Sequence, residues 1–109
     1  MEKGEIWVVD FPVKKGREQS GKRPSILISD TKTSIALVIP LTSNQDALKN
    51  LPNTTLINKS SENNLERNSV SLTFQLQAID KRRLVHKLGK LEDSYLIKIN
   101  EELKKILEI

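Results

Sequence analysis

The hydrophobic pattern changes period once, near residue 93, and this switch limits the possible folds more than any other feature. Before it, apolar residues come in short β-rich runs broken by polar loops: 5–11 (EIWVVDF), 23–29 (RPSILIS), 34–41 (SIALVIPL), 53–58 (NTTLIN), 69–72, 75–79 and 84–88 (LVHKL). After it, Leu96, Ile99, Leu103, Ile106 and Leu107 fall at helical spacing and form one apolar stripe. The expected order is about six short strands and then one helix over residues 93–107, capped by Asp93 or Ser94. Pro24 is expected at the first position of its strand, where a missing N–H is tolerated. Residues 12–22, polar and basic with two glycines, are expected to form a long loop. Such a pattern fits a mainly β (α+β) fold, a small, partly open β-barrel with the helix over one opening or one face.

A chain of 109 residues is expected to form one domain spanning 1–109. Aromatic residues are few, so the core must be built from Ile, Leu and Val. The absence of cysteine excludes a disulfide scaffold, a thiolate nucleophile and a zinc site with cysteine ligands. His86 is the only histidine, which excludes a nuclease built on a histidine pair, and scattered acids give no metal-ligand set; no cofactor is expected. On an alternating strand His86 shares a face with Leu84 and Leu88, as a packed or edge histidine would. Trp7 is expected in the core. No apolar run approaches the roughly 20 residues needed to cross a bilayer, and the N-terminus lacks the apolar stretch of a signal peptide. A cytoplasmic location is the expectation.

Charge is unevenly spread. The net charge is +4, but residues 91–109 carry −2 and the rest +6. Residues 14–23 hold five basic side chains against one acid, and residues 81–90 hold five against none. Such concentration suits a polyanionic partner, although solvated loops on a lysine-rich protein would look the same.

Several segments match a known pattern in order. Gly4-Glu5-Ile6-Trp7-Val8-Val9-Asp10, then Gly16-Arg17-Glu18-Gln19-Ser20-Gly21-Lys22-Arg23-Pro24, Ile39-Pro40-Leu41-Thr42-Ser43, Ser69-Val70 with Gln75, Ile79-Asp80-Lys81-Arg82-Arg83-Leu84 and Lys87-Leu88-Gly89-Lys90-Leu91 together span residues 4–91. In this the chain resembles the MazF/PemK toxins. The resemblance implies an SH3-like barrel with a C-terminal helix, usually a homodimer. It also implies a metal-independent endoribonuclease that cuts single-stranded mRNA at short motifs, and a cognate antitoxin whose peptide occupies the RNA site.

RNA carries its own nucleophile, the 2′-hydroxyl. A protein that uses it must align that hydroxyl and stabilise a doubly charged pentavalent phosphate. The guanidinium fork of an arginine matches phosphate oxygens, and the resemblance places the catalytic arginine at Arg23. It places an active-site threonine at Thr42, whose hydroxyl would hold a phosphate oxygen or the 2′-OH, with Ser43 assisting. Glu18 would orient Arg23 or accept a proton. The plain alternatives are an exposed strand-end arginine, a turn threonine bonding its own backbone and an exposed loop acid. Lys14, Lys15, Arg17 and Lys22 would hold the RNA backbone, while the amides of Gln19, Asn44 and Gln75 would read base edges.

The chain departs from the family at three places. Many members have an acid where Phe74 stands, and some pair it with an arginine where Leu72 stands. A common arginine is replaced by Gln77. That acid–base pair is therefore not available here, and Phe74 is expected either in the core or as a stacking face for a base. Two other function classes share the same features. One is a gyrase-poisoning toxin of the CcdB type, which has this barrel but acts through its helix; the other is a catalytically weak RNA-binding relative.

Overall fold

The structure is a computed structural model that describes residues 1–12 and 21–109. Seven strands and two helices follow in the order β1 (Glu5–Phe11), β2 (Gly21–Asp30), β3 (Ile35–Thr42), α1 (Asp46–Asn50), β4 (Thr54–Ile57), β5 (Ser69–Leu72), β6 (Gln77–Asp80), β7 (Leu84–Lys90) and α2 (Asp93–Leu107). The strands make one antiparallel sheet ordered β4-β5-β3-β2-β1-β7, with β6 also on β3. The sheet is not a closed barrel: among the described residues no pairing joins its edges β4 and β7. The partly open barrel expected from the sequence is this mostly antiparallel sheet with a C-terminal helix.

The sheet's centre explains the apolar run of β3. This strand is flanked by β2 on one side and by β6 and β5 on the other, and each of its faces packs into an apolar cluster, so both select for apolar side chains. Ile39 and Leu41 enter one cluster with Ile6, Ile26, Ile57, Leu91, Ile99 and Leu103, under α2. Ala36 and Val38 enter a second cluster on the opposite face, with Val9, Phe11, Leu27 and Ile79. Pro40 has no N–H to give a ladder, and it falls at the seam where the partner of β3 changes from β6 to β5.

At that seam a 3₁₀ turn, Thr73–Gln75, interrupts what the sequence presents as two adjacent strands. Leu41 pairs with Ser71 and Val38 with Gln77, so three extra residues are inserted opposite β3. The insertion ejects Phe74, which is exposed rather than core, whereas Leu72 is buried. Pro24 is likewise not at a strand start: β2 begins three residues earlier, with Gly21 paired to Phe11. Trp7 is half-buried against the second cluster, and its indole N–H donates to Glu5 Oε1 at 3.0 Å.

Helix α2 begins at Asp93 as expected, but its cap lies one residue before the expected one. Glu92 is the cap residue and gives no side-chain cap bond, because its carboxylate accepts from Asn63 Nδ2 (3.0 Å) and Ser60 Oγ (3.2 Å). Asp93 instead occupies the first turn, where the helix dipole favours an acid. Ile99 and Leu103 are buried as the stripe requires, but Leu107 is exposed at its end. Glu102 fixes the helix laterally, accepting from Thr55 Oγ1 (2.8 Å) and Thr73 Oγ1 (2.9 Å), which satisfies two buried hydroxyls. No described helix is long and apolar enough to cross a membrane.

Three carboxylates favour their charged form in the fold. Hydrogen bonds from Lys81 and from the backbone of Lys32 hold Asp30 at about 2. Burial pushes Glu5 up, but bonds from Trp7 and Lys87 outweigh it and leave the group lowered. The Arg82 side chain lowers Asp80. Each folded pKa lies below its unfolded value, so each contributes stability above the ordinary carboxylate range, and that stability is lost as pH falls through the folded value. The melting temperature should therefore drop between pH 3.8 and about 2, the unfolded and folded values of Asp30. Asp30→Asn should make that drop shallower; an identical pH dependence in the variant would refute the assignment.

Candidate functional site

The first-cluster face of the sheet is only partly covered by α2. Along β1 it continues from Ile6 to Val8, along β2 from Ile26 back to Pro24 and Lys22, and along β3 from Ile39 to Leu41 and Ser43. These five further residues line a cavity of about 400 Å³, with Arg23 on its border. One wall comes from Leu65, Glu66, Arg67 and Ser69, in and after the β4–β5 loop. The other comes from His86 and Leu88 of β7. The floor is apolar and the rim carries three cationic side chains, one carboxylate and one imidazole.

The loop wall is held by one buried side chain. Asn63 has no exposed surface. Its Oδ1 accepts from the N–H groups of Ser60 and Leu65, both at 3.0 Å. Its Nδ2 donates to Asn58 O (2.9 Å) and to Glu92. All of its hydrogen-bonding capacity is used to fold the loop that presents Leu65, Glu66 and Arg67.

A slip in β7 supplies the opposite wall. Val9 pairs with Leu84 and Val8 with His86, so Val85 is an extra residue in β7. Strict alternation would put Leu84, His86 and Leu88 on one face. The bulge instead sends Leu84 to the second cluster, while His86 and Leu88 face the cavity. His86 is exposed there, not packed.

Among the expected site residues, the structure brings Lys22, Arg23 and Ser43 together at the cavity. Thr42 is the last residue of β3, between Leu41 and Ser43, and does not line it. Its Oγ1 accepts from Asn44 N at 3.2 Å, which leaves the hydroxyl proton able to donate. The Asn44 side-chain oxygen accepts from Asp46 N at 3.1 Å, which leaves its amide N–H groups able to donate. Gln75 lies in the 3₁₀ turn and lines no part of the cavity. Lys14, Lys15, Arg17, Glu18 and Gln19 lie outside the described residues. Glu66, Arg67, Ser69 and His86 were not singled out by sequence as site residues. No group of three metal-ligating side chains is found among the described residues.

Comparison with known proteins identifies the family and the fold. Residues 2–107 match the family of PemK-like, MazF-like toxins of type II toxin–antitoxin systems. "Endoribonuclease MazF" of Staphylococcus saprophyticus is 30% identical over 106 residues, covering 94% of this chain and 88% of the relative. "Endoribonuclease EndoA" of Bacillus subtilis is 29% identical, covering 95% and 91%. The fold of MazF from Deinococcus radiodurans superposes with a TM-score of 0.82 at 22% identity, covering 100% of this chain and 97% of that one. A sheet with this order, a basic cavity at its open end and a match over nearly every residue lead to one conclusion: the chain belongs to the PemK-like, MazF-like toxin family of type II toxin–antitoxin systems.

Proposed function

We propose that this chain is the toxin of such a system and an endoribonuclease that cuts single-stranded RNA, chiefly mRNA, at a short sequence motif. The 2′-hydroxyl attacks the adjacent phosphorus, leaving a 2′,3′-cyclic phosphate and a 5′-hydroxyl, and no metal ion takes part. The observation that carries this reading is the meeting of Lys22, Arg23, Arg67 and Ser43 around one cavity at the end of the sheet. A strand of phosphates is the natural occupant of a cavity with a cationic rim and an apolar floor. Arg23 stabilises the charge that develops on the phosphate, and Thr42 and Ser43 position its oxygens. Glu18 orients Arg23 or accepts a proton. Lys14, Lys15, Arg17 and Lys22 hold the backbone, and Gln19, Asn44 and Gln75 read bases. The toxin acts in the cytoplasm as a homodimer of one toxin domain, spanning residues 1–109, and its antitoxin occupies the RNA site. Incubation with a long mixed-sequence RNA in EDTA tests this. Discrete cuts at a recurring motif with 5′-hydroxyl ends support the reading; cuts that need added metal, or that leave 5′-phosphates, refute it.

One observation favours a second reading, a toxin that binds gyrase through its helix. Ile97 and Leu107 are exposed on α2, beside Asn100, whose Oδ1 is buried without a partner. Inhibition of gyrase supercoiling by a chain that leaves RNA intact would select it.

A further inference from the structure

We propose that His86 is the general base of the cleavage, taking the 2′-hydroxyl proton as that oxygen attacks phosphorus. This inference rests on the endoribonuclease reading. The chemistry needs a group to remove a proton, and the family's acid–base pair is not available, since Phe74 and Leu72 stand at its positions and neither lines the cavity. Among the described residues, the charged and titratable groups that share the cavity with His86 are Lys22 and Arg23 of β2 and Glu66 and Arg67 of the β4–β5 loop; β1 contributes Val8, β3 contributes Leu41, and Ser43 follows β3. Arg23 and Arg67 are fixed cations that donate and do not accept. Among the described residues of the cavity that leaves an imidazole and a carboxylate as acceptors. An imidazole is the better-matched base near neutral pH. It also stands on a strand, paired with Val8 on the cavity floor, whereas Glu66 stands on a loop. The bulge at Val85 is what aims it there, and bulges recur beside active sites for this reason.

The step balances as follows. The 2′-oxygen forms a bond to phosphorus and its proton passes to the imidazole. The bond from phosphorus to the 5′-oxygen breaks, and that oxygen takes a proton from water. The imidazolium then returns its proton to solvent.

The test is His86→Gln on the full chain, with wild type and Arg23→Ala alongside. Cleavage should slow by roughly 10²–10³-fold, while the melting temperature stays within about 2 °C, because the side chain is exposed. The wild-type rate should rise with pH along a limb that the variant lacks. A substrate with sulfur in place of the bridging 5′-oxygen needs no proton on its leaving group, so the variant should remain as slow on it, relative to wild type, as on RNA. Restored cleavage of that substrate would make His86 the acid and overturn the assignment. So would a variant that cuts RNA within threefold of wild type while Arg23→Ala does not, or a pH limb removed by Glu66→Gln and kept in His86→Gln. A wild-type chain that cuts no RNA overturns the nuclease reading and this inference with it.

Discussion

Arg23→Ala is expected to slow RNA cleavage by about 10²–10³-fold, the usual cost of removing one donor aimed at charge that develops in a transition state. Arg23 is half-buried on β2, paired with Val9 of β1 and next to Pro24, so its backbone is fixed by the sheet on one side and by the proline that follows it. A group held this way needs little reorganisation when the phosphate becomes more negative. Arg23→Lys keeps the charge but loses the planar fork and should fall in between. Thr42→Ala removes one hydroxyl that donates to a charged oxygen and should cost roughly tenfold to a hundredfold. Single-turnover rates at saturating enzyme isolate the chemical step. Equal rates for wild type and Arg23→Ala, both folded by circular dichroism, would remove Arg23 from the mechanism.

Among the described glycines, Gly89 is the one where an added methyl group should be most damaging. A Cβ at this position would clash with Glu62 O and lie 2.8 Å from both the carbonyl carbon and oxygen of Asn63. These are backbone atoms and cannot swing aside. The loop is tied to β7 at this point, Lys90 N donating to Glu62 O at 3.0 Å. Overpacking of this kind costs about 1–3 kcal/mol, and loss of that bond adds about 1. A loss of roughly 2–4 kcal/mol lowers the melting temperature of a chain this size by about 10–15 °C. The function should suffer too, because the displaced loop carries Leu65, Glu66 and Arg67 into the cavity wall. A Gly89→Ala chain that melts within about 3 °C of wild type would show that the loop does not rest on β7 as described.

Three elements have bounds legible to the residue, β1, β5 and α2, and the two long ones are those whose periodicity is uninterrupted. Where the backbone slips, the pattern misleads. Nothing in LVHKL marks Val85 as an extra residue, so His86 resembles a packed partner of Leu84 when the two in fact part company. The three-residue insertion at Thr73–Gln75 is hidden in the same way, since SVSLTFQLQAI contains no glycine or proline to signal a break. The cationic rim was half legible. Lys22 and Arg23 stand in a dense basic stretch with a family pattern around them. Glu66 and Arg67 stand in a polar loop with no period at all, and only the hydrogen bonds of Asn63, made across sequence separations of up to 29 residues, carry them to the site.

One substrate tests the central claim most directly. Once a cut site has been mapped, an RNA oligonucleotide can be made with a single 2′-deoxynucleotide on the 5′ side of the scissile phosphate. If the substrate's own hydroxyl is the nucleophile, that oligonucleotide should bind and compete as well as RNA yet remain uncut at that bond, in EDTA and at any enzyme concentration. Cleavage at the deoxy position would contradict the account, because the attacking oxygen would then have to come from water or from the protein.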